Sequence, residues 1–280
     1  MPGKFLFGTV GSPTSTPPKP GGSIGSVEQI RALGLQALEL GWVQSVRVSE
    51  ETCQLIKNKA IEREVAISVH ASYYINLNAD DEEWPKSRKR LIDAAYYGNL
   101  AGATDIIFHP GSYFGSAPDQ VLPKAIARLA ECVAELRAQG NPVILRPETM
   151  GKSAMLGSLQ DTIEMARAVP GVVPCIDFAH LHARPGNGSF NTYQEWMDLL
   201  NGYAKSIGND ALRNLHIHLS GIDYSAKGER KHLPLKESDL DIQNLLRALN
   251  DAGCQGRILC ESPVLEEDAL YMQEIWHSFK

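Results

Sequence analysis

Short apolar runs alternate along the chain with longer amphipathic stretches. The runs are nearly continuous and rich in Val, Ile and Leu, which is typical of strands buried on both faces of a parallel sheet. We predict eight such strands, at residues 5–11, 37–40, 65–70, 105–110, 142–148, 172–177, 214–220 and 257–261.

The stretches between these runs have the apolar spacing of helices. Residues 121–136 and 240–249 each form one apolar stripe at steps of three and four, and Ser23 and Ser238 are predicted to cap two helices. Strands that alternate with helices without a break in composition predict one α/β domain over residues 1–280, a single (β/α)8 TIM barrel. A doubly wound open sheet is the alternative, but the first turn lacks a G-x-G-x-x-G fingerprint.

Composition places the chain among ordinary soluble globular proteins. Of its 280 residues 43% are hydrophobic and 21% charged, and the net charge of −6 counts weakly against nucleic acid. No apolar run approaches the ~20 residues of a membrane span, and the apolar run in the first residues is too short to predict a secretory signal. The five cysteines are scattered, which favours reduced thiols over a disulfide framework or a zinc ribbon. We expect a cytoplasmic monomer without a membrane partner.

Ionisable residues cluster at the carboxyl ends of the predicted strands. In chain order they are His70, His109, Glu148, Asp177 with His180, His218 and Glu261. The carboxyl ends of barrel strands form one rim, where active sites lie. A lone histidine there is more often a satisfied polar group than a ligand. Three converging carboxylates would repel each other, however, and Arg146 is the one basic residue at a comparable strand end. A divalent metal resolves that repulsion.

The donor types narrow the choice of metal. Imidazole and carboxylate together suit Zn²⁺, Mn²⁺ or Fe²⁺, whereas Mg²⁺ and Ca²⁺ prefer oxygen ligands. The candidates outnumber the four ligands of one tetrahedral site, so we predict two or more ions with Glu148 bridging. His216 is expected one layer deeper than His218. In the loop 221–235, Glu229 and His232 are predicted to turn inward, and a solvent-facing loop is the alternative.

Several motifs together resemble one known family. They are SVHASYYINL around His70, FHPG at His109, PET and GSL within 148–159, CIDFAHLHA at 175–183, HIHLSG at 216–221 and CES at Glu261. The chain resembles a divergent member of the endonuclease IV family of apurinic/apyrimidinic endonucleases, within the xylose-isomerase-like barrels. The resemblance extends from about residue 65 to residue 262.

The resemblance implies a site with three zinc ions. It assigns the first to His70, His109 and Glu148, the second to Glu148, Asp177, His218 and Glu261, and the third to His180, Glu229 and His232. The implied reaction is incision of double-stranded DNA 5′ to an abasic site, with Glu148 and Glu261 orienting and partly deprotonating the attacking water. The implied substrate contacts are Tyr73 with the DNA backbone, and Gln44 and Arg47 in place of the family's DNA-penetrating loop. The position of His182 just after the sixth strand separately makes it a candidate either to contact the substrate or to support the site from behind.

Two other functions are consistent with parts of this pattern. A sugar isomerase or epimerase on the same barrel would hold one metal with Glu148, Asp177, His218 and Glu261, and its two glutamates would act as acid and base. The pair His70 and His109 favours phosphodiester hydrolysis over this rival. A non-enzymatic binding scaffold is disfavoured, because so many crowded ionisable groups cost stability unless they serve a metal.

Overall fold

The computed structural model describes residues 5–279, in which ten strands can be assigned. They are β1 Phe5–Val10, β2 Ala37–Gly41, β3 Ala66–His70, β4 Ala103–Phe108, β5 Ile144–Pro147, β6 Cys175–Asp177, β7 Leu215–Leu219, β8 Gly221–Ser225, β9 Gly228–Leu233 and β10 Gly256–Cys260. Eight of them, β1 to β7 and β10, make one parallel sheet in the order β5-β4-β3-β2-β1-β10-β7-β6. All eight predicted strands are confirmed.

The sheet curls until its two edges meet. Between β5 and β6 the pairing consists of two isolated bridges, Leu145 to Val172 and Glu148 to Cys175. The result is a nearly closed barrel with helices between its strands, which confirms the predicted (β/α)8 fold. The carboxyl ends of the eight strands therefore meet at one mouth.

Nine α-helices lie between and after the strands within the described range. They are α1 Gly22–Ala32, α2 Glu50–Arg63, α3 Trp84–Leu100, α4 Pro118–Ala138, α5 Leu159–Ala168, α6 Phe178–Ala183, α7 Tyr193–Ile207, α8 Ile242–Asp251 and α9 Glu266–Ser278. The helices predicted at 121–136 and 240–249 correspond to α4 and α8. No helix in this part of the chain combines the length and the apolar character that crossing a membrane requires.

Both predicted helix caps are wrong. Ser23 lies inside α1, whose N-cap is Gly21 at φ 60°, a left-handed conformation that favours glycine. The N-cap of α8 is Asp241, whose carboxylate accepts a hydrogen bond from the backbone N–H of Asn244. The hydroxyl oxygen of Ser238 instead accepts the N–H of Ile222, so it ties the start of β8 to the segment before α8.

Charged groups occupy the barrel interior beneath the mouth. Asp105 on β4 lies between the guanidinium groups of Arg146 and Arg257, and both the Asp105 and Arg146 side chains are almost completely buried. Burial alone would raise the pKa of Asp105, but Arg146 and then Arg257 outweigh it and hold that pKa far below its usual range. Arg146 is thus already paired, and its charge points away from the carboxylates at the mouth.

The segment predicted as a loop at 221–235 is an antiparallel hairpin of β8 and β9. Two glycines allow this hairpin to lie close to the mouth of the barrel. Gly228 has φ 94°, and a Cβ there would lie 2.3 Å from the carbonyl oxygen of Gly151. The next residue, Glu229, donates its backbone N–H to that same oxygen at 2.9 Å. The hairpin therefore holds Glu229 and His232 in a fixed place beside the strand ends.

Candidate metal centre

Glu148 lies at the centre of the mouth, directly after β5, and its side chain is fully buried. Its Oε2 atom lies 3.2 Å from Nε2 of His70 and 3.4 Å from Nε2 of His109. Its Oε1 atom lies 3.4 Å from Nδ1 of His218 and 3.3 Å from Nδ1 of His180. One carboxylate thus contacts imidazoles from four parts of the barrel rim.

The strand-end residues fall into groups with the spacing of metal ligands. One group is His70, His109 and Glu148, and a second is Glu148, Asp177, His218 and Glu261. Within each group the ligand atoms lie within 4.8 Å of one another. Glu148 belongs to both groups, so the structure brings together the two ligand sets that the family resemblance implied.

A third group lies where the hairpin meets α6. Nε2 of His180 is 3.2 Å from Nε2 of His232 and 3.5 Å from Oε2 of Glu229. A carboxylate oxygen of Asp177 also lies within 4.8 Å of a ring nitrogen of each of these histidines. Glu229 precedes His232 by three residues, and the hairpin turns its carboxylate toward His180.

Three of these histidines have their ring orientation fixed by main-chain oxygens. The Nδ1 atoms of His70, His180 and His232 lie 3.0, 2.9 and 3.2 Å from the carbonyl oxygens of Ala71, Thr149 and Glu261. A carbonyl oxygen can only accept, so each Nδ1 carries a proton, and in the neutral ring Nε2 then carries the lone pair. Metal-bound histidines commonly donate their second nitrogen in this way.

The lone pairs of this site face one another. Nε2 of His180 and Nε2 of His232, both acceptors, are 3.2 Å apart, and Nε2 of His70 faces the Glu148 carboxylate at the same distance. Two ligands of a tetrahedral zinc ion lie about 3.3 Å apart when the Zn–N bonds are about 2.0–2.1 Å long. A cation that both acceptors bind would replace the repulsion between their lone pairs with attraction to the shared charge.

The buried charges of the site also fit a cation. Burial would raise the pKa of Glu148, but the surrounding imidazoles, His218 and His109 foremost, hold it well below its usual range. Burial raises the pKa of Asp177 to about 6, since the opposing charge of His180 only partly offsets it. Among the described residues, Glu148 Oε1, Asp177 Oδ2 and His218 Nδ1 have no hydrogen-bond partner. These two carboxylate oxygens and one imidazole nitrogen are the kinds of ligand atom that Zn²⁺, Mn²⁺ or Fe²⁺ binds.

Glu39 contacts His218 of the second ligand group and is not among the residues predicted from the sequence. It lies on β2, is fully buried, and accepts hydrogen bonds at 2.8 Å from Nε2 of His216 and from Oγ of Ser68. Its other oxygen, Oε1, lies 3.0 Å from Nε2 of His218. Burial lowers the pKa of His216 to about 4 even though Glu39 opposes the shift. The available signal was a single acid within the apolar run ALEL.

A cavity of about 420 Å³ opens above the ligand groups. It is lined by Val10, Tyr73, His109, Met150, Lys152, Met155, His180, Glu229, His232 and Glu261. The ring of Tyr73 stacks on that of His109 with centroids 4.9 Å apart, and 53% of Tyr73 remains exposed. Burial of its hydroxyl, with Glu261 and Glu148 nearby, raises the pKa of Tyr73 to about 12. This tyrosine is therefore a neutral hydrogen-bonding group at the cavity wall.

Three candidate substrate contacts lie away from this cavity. His182 is buried, with Nε2 3.1 Å from the carboxylate of Asp239 and Nδ1 3.0 Å from the carbonyl oxygen of Ser189. It therefore joins the segment after α6 to the segment before α8, and its position does not support direct contact with substrate. Gln44 and Arg47 are exposed on the loop after β2 and do not line the cavity.

Gly151 gives a direct test of the third group. A Cβ at this residue would lie 2.7 Å from the Glu229 side chain and 3.0 Å from the His180 ring. We expect Gly151→Ala to displace both side chains and to remove one bound ion while the ions of the other two groups remain. Metal content after dialysis measures this result. Gly202→Ala is the control, because a Cβ there meets nothing within 4 Å. An unchanged metal content in Gly151→Ala would contradict the expectation.

The fold and the buried histidine–carboxylate groups define a TIM barrel whose mouth carries residues with the spacing of metal ligands. Residues 27–276 match the family described as Xylose isomerase-like TIM barrel, and the chain belongs to that family. Its relatives include proteins named endonuclease 4, which confirms the resemblance found in the sequence motifs.

The relatives differ in how closely they match. An uncharacterized protein of Methanocaldococcus jannaschii is 35% identical over 274 residues, which cover 98% of this chain and 97% of that protein. Endonuclease 4 of Thermus thermophilus is 25% identical over 203 residues, 70% of this chain and 71% of that protein. The chain is therefore a divergent member among the relatives of endonuclease 4.

Solved structures of two kinds share the fold. The crystal structure of an endonuclease IV from Thermus thermophilus superposes with a TM-score of 0.73 at 20% identity, covering 98% of each chain. A D-tagatose 3-epimerase-like protein superposes with a TM-score of 0.69 at 18% identity, covering 98% of this chain and 96% of that one.

Proposed function

We propose that this protein is a metal-dependent phosphodiesterase that incises double-stranded DNA 5′ to abasic sites. The observation that carries the proposal is the number of ligand groups at one mouth. A sugar epimerase needs one ligand group, here Glu148, Asp177, His218 and Glu261. This chain adds the pair His70 and His109 and the facing pair His180 and His232. Multinuclear sites suit phosphodiester hydrolysis, because both the attacking and the leaving oxygen need stabilisation.

The residues of the mouth have distinct tasks in this reaction. When bound, divalent cations supply charge stabilisation for phosphate oxygens and lower the pKa of a water. Glu148 joins two ligand groups through its two oxygens and so fixes their relative position. Glu261 lies 3.4 Å from Nδ1 of His218, lines the cavity and is partly exposed, so it can orient a water and accept its proton.

The cavity suits the backbone of an abasic nucleotide. Its volume of about 420 Å³ admits a sugar with its phosphate. Lys152 places a positive charge at the rim, Tyr73 offers a neutral hydroxyl, and Met150 and Met155 form an apolar wall. With a net charge of −6, the protein depends on such local groups and on bound cations to hold a polyanion.

A sugar epimerase is the second candidate function. Glu148 Oε1 and Glu261 Oε1 each lie 3.4 Å from Nδ1 of His218, so two glutamates flank one ligand. Two carboxylates at one cavity can act as the acid and the base next to the carbonyl of a bound sugar. The fold that this chain shares with the D-tagatose 3-epimerase-like protein supports this second candidate.

The deciding experiment is incision of a duplex that carries one abasic site. We expect the zinc-loaded protein to cleave 5′ to the lesion, leaving a 3′-hydroxyl, and we expect chelation and His109→Ala each to abolish cleavage. His277→Ala is the control, because that histidine is exposed on α9 and lies outside the ligand groups. In parallel, ketohexoses are incubated with the same protein. Epimerisation without cleavage would replace the proposal with the second candidate.

A further inference from the structure

Below the metal groups lies a buried polar cluster formed by Glu39, Ser68 and His216. Glu39 and Ser68 are paired residues of the adjacent strands β2 and β3, whereas His216 comes from β7, which β1 and β10 separate from β2 in the sheet. All three are buried, and none of them was assigned a role by the sequence motifs. A buried carboxylate this far from solvent is costly unless several donors hold it.

The cluster orients one oxygen of Glu39 and leaves the other for His218. Both Ser68 Oγ and His216 Nε2 donate to Oε2 at 2.8 Å. Oε1 lies 3.0 Å from Nε2 of His218 and has no well-aligned hydrogen-bond partner among the described residues. Two donors therefore lock the carboxylate plane in a position that places Oε1 against the inner edge of the His218 ring.

The outer edge of that ring faces the ligand groups. Nδ1 of His218 lies 3.4 Å from the nearest oxygen of both Glu148 and Glu261. A neutral imidazole carries one proton, on either Nδ1 or Nε2. Only a ring protonated on Nε2 has its lone pair on Nδ1, where it can bind a cation held by the carboxylates of Glu148, Asp177 and Glu261. The carboxylate at Nε2 favours this tautomer.

We propose that Glu39 is a positioning residue that holds the Nε2 proton of His218, so that Nδ1 binds the cation shared with Glu148, Asp177 and Glu261. This inference rests on the metal site of the proposed function and names a further residue that builds it. Three other histidines donate their second nitrogen to main-chain oxygens, whereas His218 faces a carboxylate. A carboxylate partner makes the imidazole a stronger base and a tighter ligand.

The test compares metal binding by the wild-type chain and two matched variants. Apoprotein is titrated with Zn²⁺ against a chromophoric chelator, and the Co²⁺ form is examined by its visible spectrum. For Glu39→Gln we expect one ion to bind about 10–100-fold more weakly, with the same number of ions at saturation and an altered Co²⁺ spectrum. Glu266→Gln makes the same chemical change at a buried glutamate that accepts from Thr14 and Ser15, and should match the wild type.

Three other outcomes would overturn the inference. Unchanged affinity and spectrum in Glu39→Gln would show that His218 does not depend on this carboxylate. Loss of one ion at saturating metal would make Glu39 itself a ligand. A wild-type chain that binds no metal would overturn both this inference and the proposed function, whereas metal binding without DNA cleavage would overturn the proposed function alone.

A second variant covers the case in which Glu39→Gln fails to fold. Ser68→Ala removes one of the two donors that orient Oε2 and keeps the carboxylate. We expect a smaller loss of affinity in the same direction, for the same ion. Affinity equal to that of the wild type would overturn the inference by this route.

Discussion

Replacing Glu148 by Gln should lower the rate of metal-dependent cleavage by about 10³-fold. Glu148 belongs to two ligand groups, and its oxygens lie 3.2–3.4 Å from four imidazoles. The amide has the same shape but no negative charge and only one oxygen, so it cannot bind two cations as a bridging carboxylate would. Single-turnover cleavage of the abasic duplex measures the rate, and metal content measures how many ions remain.

The matched control for this variant is Glu164→Gln. Glu164 lies on α5, where it contacts Gln160 and Arg167 on the surface of that helix. It makes the same chemical change outside the ligand groups, and its rate should equal that of the wild type. Full activity and full metal content in Glu148→Gln would show that this carboxylate does not join the two groups.

Replacing Asp105 by Asn should lower the free energy of unfolding by about 3–5 kcal/mol at pH 7. Asp105 is the shared partner of Arg146 and Arg257, and the substitution leaves two buried guanidinium groups without a counter-charge. Urea unfolding measures the difference. Asp93→Asn is the control, because Asp93 pairs with the exposed Lys89, and its substitution should leave the free energy of unfolding almost unchanged.

The Asp105 contribution also has a defined pH dependence. The pKa of Asp105 in the folded protein lies below its value in the unfolded chain, about 3.9, so the stabilisation is complete above that value and is lost as the pH falls. At pH 3 the folded state still holds the carboxylate ionised, while most of the unfolded chain is protonated. The difference between wild type and Asp105→Asn should therefore shrink by about 1 kcal/mol from pH 7 to pH 3. A difference that is independent of pH would contradict the assigned pairing.

The strand-end residues could be predicted because barrel geometry alone brings them together. His70 is the last residue of β3, and Asp177 is the last residue of β6. His109 and Glu148 follow β4 and β5 by one residue. Because the strands are parallel, their carboxyl ends all lie at the same end of the barrel. Sequence position therefore carries the spatial information.

Glu39 and the hairpin could not be predicted for a different reason. The direction of the Glu39 side chain depends on the pairing register of β2 with β3, which puts Glu39 opposite Ser68. The hairpin depends on Gly151 and Gly228 allowing two backbones to approach. Neither feature is a local pattern. His182 shows the opposite case, since its motif neighbours lie at the site while its ring contacts Asp239.

The narrow contact between β5 and β6 has a consequence for how the barrel stays shut. Backbone pairing there is confined to two isolated bridges, to which the Thr149 side chain adds hydrogen bonds with the backbone of Asp177, and β6 itself has three residues. Glu148 sits on one side of this seam and Asp177 on the other, and both belong to one ligand group. A cation bound by both residues would link β5 and β6 where their backbone pairing is sparsest. Its binding would then stabilise closure of the barrel, and its loss would loosen the wall that shapes the cavity.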